Sequence, residues 1–246
     1  MKFIMFLISG FMLQTAFAQD NQLMLIFDGR FSQKTANITQ TEKIQLETKI
    51  IPLAIAKAKE EEKEICDFKQ NIIDDFNVID KAIGAFTQPN FQETAYLYEY
   101  CIFGHFATTG IAIVKNQQFD LINIYLPFQF RFNNMGALVD FNQNGLDEIV
   151  LSSKDTHQGS TAVGMTLLEV GKNGDHLKIF GNTIVYQDDC LYWEDGCRKI
   201  SAYKIYAKPS SNPTFYREEF IKKSEKALWK KISKQPLPFS LEKIQE

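Results

Sequence analysis

The stretch "LINIYLPFQFRF" (residues 121–132) alternates with a period of two. Ile122, Ile124, Leu126, Phe128, Phe130 and Phe132 fall on one side, and Leu121, Asn123, Tyr125, Pro127, Gln129 and Arg131 fall on the other. Successive side chains of a strand point to opposite faces, so the spacing predicts β structure and not helix. Pro127 has no N–H to give to a ladder, which predicts that this strand is interrupted or lies at a sheet edge.

Working outward, period two begins near Phe91 and continues through "GIAIV", "MGALVDF", "DEIVLSS", "VGMTLLEV", "NTIVY", "SAYKIYA" and "TFYREEFI". The intervening "KNQQ", "GKNGD", "WEDG" and "PSSNP" are turn chemistry. Upstream the pattern changes. "IAKAKEEEKE" consists of strong helix formers, and Ile65, Phe68, Ile72, Phe76, Ile79 and Ile83 recur at steps of three and four, predicting a helix that ends near Gly84. Pro52 is expected at a helix start; the β-branched "FNVID" pulls against helix as far as Ile83. The fold class expected is α+β, mainly antiparallel β. A helical segment to about residue 85 precedes a β meander over about 86–246, within a single mature domain, 19–246. A separate helical unit ahead of a β domain is the alternative partition.

The chain has 246 residues, 45% of them apolar and 13% aromatic, enough to bury a core and too much for a disordered protein. Its formal net charge of −3 implies no broad basic face, so no nucleic-acid partner is expected. The Lys-rich run "KKSEKALWKKISK" reads as a solvated sheet edge, where lysine discourages edge-to-edge pairing.

The first residues follow the layout of a secretory signal: Lys2, an apolar block over 3–12, then Ala16-Phe17-Ala18. Cleavage after Ala18 is expected, giving a signal peptide over 1–18 and a periplasmic or secreted protein; a retained core strand or anchor helix is the alternative. The block is too short to span a bilayer, and no later run is apolar enough, so no transmembrane segment is expected. Four cysteines fit an oxidising compartment. Cys190 and Cys197 flank the turn pair Asp195-Gly196 and can face each other across a hairpin neck, which leaves Cys66 with Cys101; four buried free thiols are the alternative. A thiol count on the denatured, unreduced chain separates the two.

The stretch "ALVDFNQNGLDEIVL" (137–151) poses the question of a metal. Counting Asp140 as position one, Asn142 is three, Asn144 five, Gly145 six, Leu146 seven and Glu148 nine. Side-chain oxygens at alternate positions turn inward when a chain curls around a hard cation, glycine at six permits the sharp turn, and position seven gives its carbonyl. The expected cofactor is one calcium ion, bound weakly and structurally. An EF-hand would need a bidentate Glu at position twelve, which is Leu151, and helical flanks, whereas these flanks are β-patterned. A final acid at nine before a hydrophobic strand resembles the loops of integrin-α-like FG-GAP and VCBS-type repeats. That resemblance covers about residues 134–170, as a single degenerate unit. It implies a propeller-blade-like hairpin with Asp140, Asn142, Asn144, Leu146 and Glu148 around calcium. Asn144 stands where the family usually has an acid, and Asp147 is expected on the other side or behind the ligands. "FTQPNFQETAYLYEYC" and "GIAIVKN" resemble exported bacterial proteins that carry one such unit. The competing reading of the loop is an Asx-rich turn that caps its own amides without an ion.

Catalytic constellations are weaker. Asp155, His157 and Ser160 lie close in "DTHQGST", yet a hydrolase triad converges from separate elements, and no G-x-S-x-G elbow is present. His105 and His176 complete no zinc-like spacing. Asp188, Asp189, Glu194 and Asp195 surround the expected hairpin disulfide; paired carboxylates can serve glycoside cleavage, and hairpin tips carry such clusters for solvation. Tyr96, Tyr98 and Tyr100 share a strand face, as a sugar platform or as core. The reading taken is an exported non-enzymatic β-rich protein with one calcium loop, acting as a binding or structural module toward an unknown ligand or protein. The alternatives are a periplasmic hydrolase using the acidic hairpin or the His157 loop, and an inert domain.

Overall fold

The computed structural model describes residues 22–60, 69–104, 106–115, 120–127, 131–157, 159–189 and 200–243. The expected signal segment, His105, Cys66, Cys190, Cys197, Glu194 and Asp195 lie outside them. Among the described residues no cysteine is free.

The period-two runs become strands in two antiparallel sheets, although of "LINIYLPFQFRF" only Leu121–Tyr125 is strand among the described residues. The smaller sheet is a meander of β2 (Asn77–Gly84), β3 (Glu93–Phe103), β4 (Phe106–Val114) and β5 (Leu121–Tyr125). The larger runs β6 (Asn134–Leu138), β7 (Glu148–His157), β8 (Ser160–Val170), β9 (Leu177–Asp188), β10 (Ile200–Lys208), β11 (Thr214–Lys222) and β12 (Lys230–Lys231) in chain order. It curls into a half-barrel; β1 (Met24–Asp28) joins it on β10 and β13 (Leu237–Phe239) on β11. The "LINIY" strand is an edge strand and stops ahead of Pro127. Lys230 and Lys231 of the Lys-rich run form β12 at the margin of the larger sheet, where Lys231 pairs with Glu218 and Lys222 lies over the Trp229 ring.

Three apolar layers follow from strand alternation. Leu97, Ile111 and Ile113 face across to Ile149, Leu151 and Leu168, fusing the two sheets. The opposite face of the small sheet presents Tyr96, Tyr98 and Tyr100 to the helices, so this tyrosine row is core. Inside the half-barrel, Ile26 and Phe27 pack on Phe141, Leu167, Val185 and Ile205.

The helical segment differs from expectation in two ways. Helix α1 (Gln40–Glu60) contains Pro52 instead of starting there. It begins at a reciprocal cap in which Glu42 accepts the Thr39 N–H and hydroxyl and Thr39 Oγ1 accepts the Glu42 N–H. Leu46, Ile50 and Ala54 form its buried stripe, while Thr48 and Pro52 face outward, so the carbonyl that Pro52 cannot bond is open to solvent. The second difference concerns the stripe ending at Ile83. Ile65 and Phe68 of that stripe lie outside the described residues; helix α2 (Lys69–Asp75) ends before Phe76, and residues 77–84 form strand β2. The buried side chains there are Val78, Asp80 and Ala82, and Ile83 is exposed. The β-branched "NVID" thus outweighs an apolar spacing that suited a helix.

The α1 cap predicts a pH effect. Glu42 is opposed by its own burial, but hydrogen bonds from Lys81, the Thr39 N–H, Tyr96 and the Thr39 hydroxyl prevail and bring its pKa down to about 2. A depressed carboxylate stabilises the fold above its unfolded pKa of 4.5 and loses that contribution as pH falls from there toward about 2. We expect Glu42→Gln to cost on the order of 2 kcal/mol at neutral pH and little by about pH 2. Parallel urea titrations of parent and variant at several pH values check this; a pH-independent difference would refute it.

Candidate metal centre

Residues 139–147 connect β6 to β7, and Glu148 opens β7, so the residues expected around calcium lie in this loop and at its exit. Gly145 has φ +90, so the turn asks for glycine; a Cβ on it would meet the Pro89 ring of the neighbouring β2–β3 loop at an ordinary contact of 3.4 Å. Gln143 also adopts a left-handed backbone, with φ 62. Both Asp140 oxygens accept loop amides, from Asn144 at 3.1 Å and Gly145 at 2.7 Å. Asn144 Oδ1 accepts the Leu146 N–H at 2.9 Å. These bonds are what a self-capped Asx turn would make.

Two other oxygens break that pattern. Asn142 is 4% exposed and Glu148 is 0% exposed, yet Asn142 Oδ1 and Glu148 Oε1 have no hydrogen-bond partner. Burial pushes the Glu148 carboxyl up to about 8; the Phe141 N–H and, more weakly, the Asn142 N–H oppose this, and the negative charges of Glu169 and Asp140 add to it. The Phe141 N–H donates to the second Glu148 oxygen at 3.1 Å. Asp147 turns the other way, to the small sheet. Its Oδ2 accepts the Ala85 N–H at 2.8 Å, and its own N–H donates to the Ala85 carbonyl at 2.9 Å.

The donor set suits a hard cation: carboxylates at Asp140 and Glu148, amide oxygens at Asn142 and Asn144, and the Leu146 carbonyl. Among the described residues no three His, Cys, Asp or Glu side chains form a metal-binding group by themselves, so an ion here would depend equally on amide and carbonyl oxygens. One residue near the loop escaped the sequence reading. Glu169 on β8 is 2% exposed and accepts hydrogen bonds from the side-chain amides of both Asn142 and Asn144. Its only signal is an acid inside the apolar run "MTLLEV".

The catalytic candidates do not assemble as a triad. His157 and Ser160 face each other at the β7–β8 turn, but the Ser160 hydroxyl donates to Asp189 Oδ1 at 2.6 Å. Asp188 is buried and accepts the Tyr186 hydroxyl at 3.2 Å. Two clefts of 640 and 450 Å³ share Asn133 and Lys154 and include none of the loop residues. A single ion needs no cleft, so the loop's chemistry is the better guide to its role.

Fold and loop together define a mainly antiparallel β protein with a helical layer and an oxygen-rich hairpin loop at the junction of its sheets. No protein-family model matches the chain, and neither a curated protein nor a solved structure does. No helix among the described residues is long and apolar enough to cross a membrane.

Proposed function

We propose that this chain is an exported, non-enzymatic β-rich protein whose 140–148 loop binds one calcium ion in the manner of integrin-α FG-GAP units, as reinforcement of a binding or structural module. In this reading β6, the loop and β7 form the propeller-blade-like hairpin. The cysteines pair as Cys66 with Cys101 and Cys190 with Cys197, in keeping with a periplasmic or secreted location.

The observation that carries the proposal is the pair of buried, unpartnered oxygens at positions three and nine, Asn142 Oδ1 and Glu148 Oε1. A buried acceptor without a donor costs on the order of 1–3 kcal/mol, and a cation removes that cost at both atoms. The reciprocal bonds between Asp147 and Ala85 give the ion a structural consequence, because they tie the loop to the end of β2 in the other sheet.

With few carboxylates in the loop, a dissociation constant of roughly 10⁻⁴ to 10⁻³ M is expected. Calcium at about ten times that value adds about 1.4 kcal/mol, a rise of roughly 3–6 °C in thermal midpoint. Asp140→Ala should start lower, since the Asn144 and Gly145 amides lose their acceptor, and should show no rise. Melting both proteins in chelator and in calcium decides the matter. Coincident curves for the parent would mean a self-capped turn.

A further inference from the structure

We infer that the end of β7 beyond its pairing with β6, residues 154–157, is a docking edge for an extended peptide of another protein. The peptide adds a strand to the larger sheet in line with β6 and sets bulky apolar side chains, in turn, into a cleft on each face. The inference stands whether or not the 140–148 loop holds an ion, since the clefts include none of its residues.

The edge comes from a mismatch of strand lengths. β7 runs to His157, but its register with β6 ends where Asn134 meets Ser152. One step further the Asn133 N–H still donates to the Ser152 carbonyl at 2.7 Å, and the Asn133 side-chain oxygen accepts the Lys154 N–H at 2.6 Å in place of a backbone carbonyl. There the chain turns away from β7: Phe132 is buried between the sheets, and Arg131 is paired with Glu99 of β3. Backbone groups of a strand alternate sides, so the Lys154 carbonyl and both the N–H and the carbonyl of Thr156 point to the side that β6 has left. Residues 154–157 are exposed, and among the described residues no strand pairs with them on that side. A row of this kind is a template for another strand.

The two clefts lie on opposite faces of this edge. Ser153 and Asp155 line the 640 Å³ cleft with Gly164 and Thr166 of β8, Ser152 lines the 450 Å³ cleft with Thr161 and Val163, and Lys154 at the rim belongs to both. An added strand has the same period of two, so its side chains enter the clefts alternately. The walls carry apolar groups that the fold leaves bare: Phe106 and Ile184, 53% and 49% exposed, in the first, and Phe31, 62% exposed, in the second. A second copy pairing through its own β7 edge would offer only Lys154, Asp155 and Thr156, too polar or too short to cover those walls. A partner strand with aliphatic or aromatic residues on both faces covers them.

The test selects a random peptide library displayed on phage against the immobilised full chain, then follows binding of an enriched, fluorescently labelled peptide by polarisation. Enriched sequences should carry bulky apolar residues on both strand faces. Methylating the peptide's backbone nitrogens one at a time should weaken binding at least about tenfold at every second residue and little in between, because only alternate N–H groups reach β7. On the protein, Thr156→Pro removes an N–H that points away from β8; it should melt near the parent and bind at least about tenfold more weakly. The Thr156 amide of the parent should gain protection from hydrogen exchange when the peptide is added. Should Thr156→Pro not fold, the methylated peptides on the parent chain decide alone. Methylation tolerated at every position, equal binding by Thr156→Pro and the parent, or no enriched peptide that binds the chain in solution would overturn the inference. So would a parent that elutes as a dimer and becomes monomeric on Thr156→Pro, since a second copy would then hold the edge.

Discussion

Gly29→Ala is expected to lower the unfolding free energy by more than about 3 kcal/mol, because the added methyl meets backbone and not a side chain that can turn away. An ideal Cβ on Gly29 would lie 1.9 Å from the Val185 carbonyl oxygen and 2.7 Å from its carbon. The crowding has a topological origin. β10 pairs with β9 only at Ile200, Ser201 and Ala202; beyond that, β1 takes over the same edge from Lys204 to Ala207. Gly29 sits at this branch, with its N–H bonded to the Tyr203 carbonyl at 2.9 Å. A side chain there separates β1 from β9 and exposes Ile26 and Phe27, which β1 carries into the half-barrel core. Urea unfolding of Gly29→Ala measures the loss. A midpoint within about 1 kcal/mol of the parent would show that β1 does not approach β9 so closely.

What the sequence discloses depends on how local the determining contacts are. Strands β3 to β11 were legible because their alternation is written in consecutive residues, and each pairs with a strand adjacent to it in the chain. β2 was not. Ile79 and Ile83 extend the spacing of Ile72 and Phe76, but the side chains that turn inward are Val78, Asp80 and Ala82, and a buried aspartate looks polar until its donors are known. The same limit divides the candidate site. Asp140, Asn142, Asn144, Leu146 and Glu148 stand in one run of nine residues, so the expectation of a cation loop rests on spacing alone. Glu169 reaches the loop only through the β7–β8 register, and Asp147 turns away to Ala85, a contact between sheets that no local pattern encodes. Pro52 shows the limit of propensity alone, since an outward-facing turn of helix tolerates the missing bond.

The second large effect is expected at Asp80. β6 is the last strand of the large sheet, and an edge strand leaves alternate N–H groups without a ladder partner. One of these, at Met135, donates to Asp80 Oδ2 at 2.9 Å across the junction of the sheets. Oδ1 accepts the Ala36 N–H at 2.7 Å and the Lys81 N–H at 2.9 Å, so one carboxylate, 1% exposed, serves the edge of one sheet, a strand of the other and the segment leading into α1. The pairing of β2 with β3 is irregular between Val78 and Asp80, and beyond that shift Asp80 and Ala82 line up against Leu97 and Ala95, which face the large sheet. Alanine here strands the Met135 donor in a buried place and frees the Ala36 segment, for a loss of about 3–5 kcal/mol. Asparagine keeps one acceptor oxygen but turns an N–H toward a donor, and should fall between alanine and the parent. Hydrogen exchange locates the effect: the Met135 amide should lose protection in Asp80→Ala by more than the amides of β10 and β11 do. Uniform loss of protection across both sheets, or none at Met135, would show that Asp80 is not what caps this edge. An uncapped β6 is also a pairing template for a second chain, so Asp80→Ala should aggregate on heating at concentrations where Glu42→Gln, which leaves the edge covered, stays soluble.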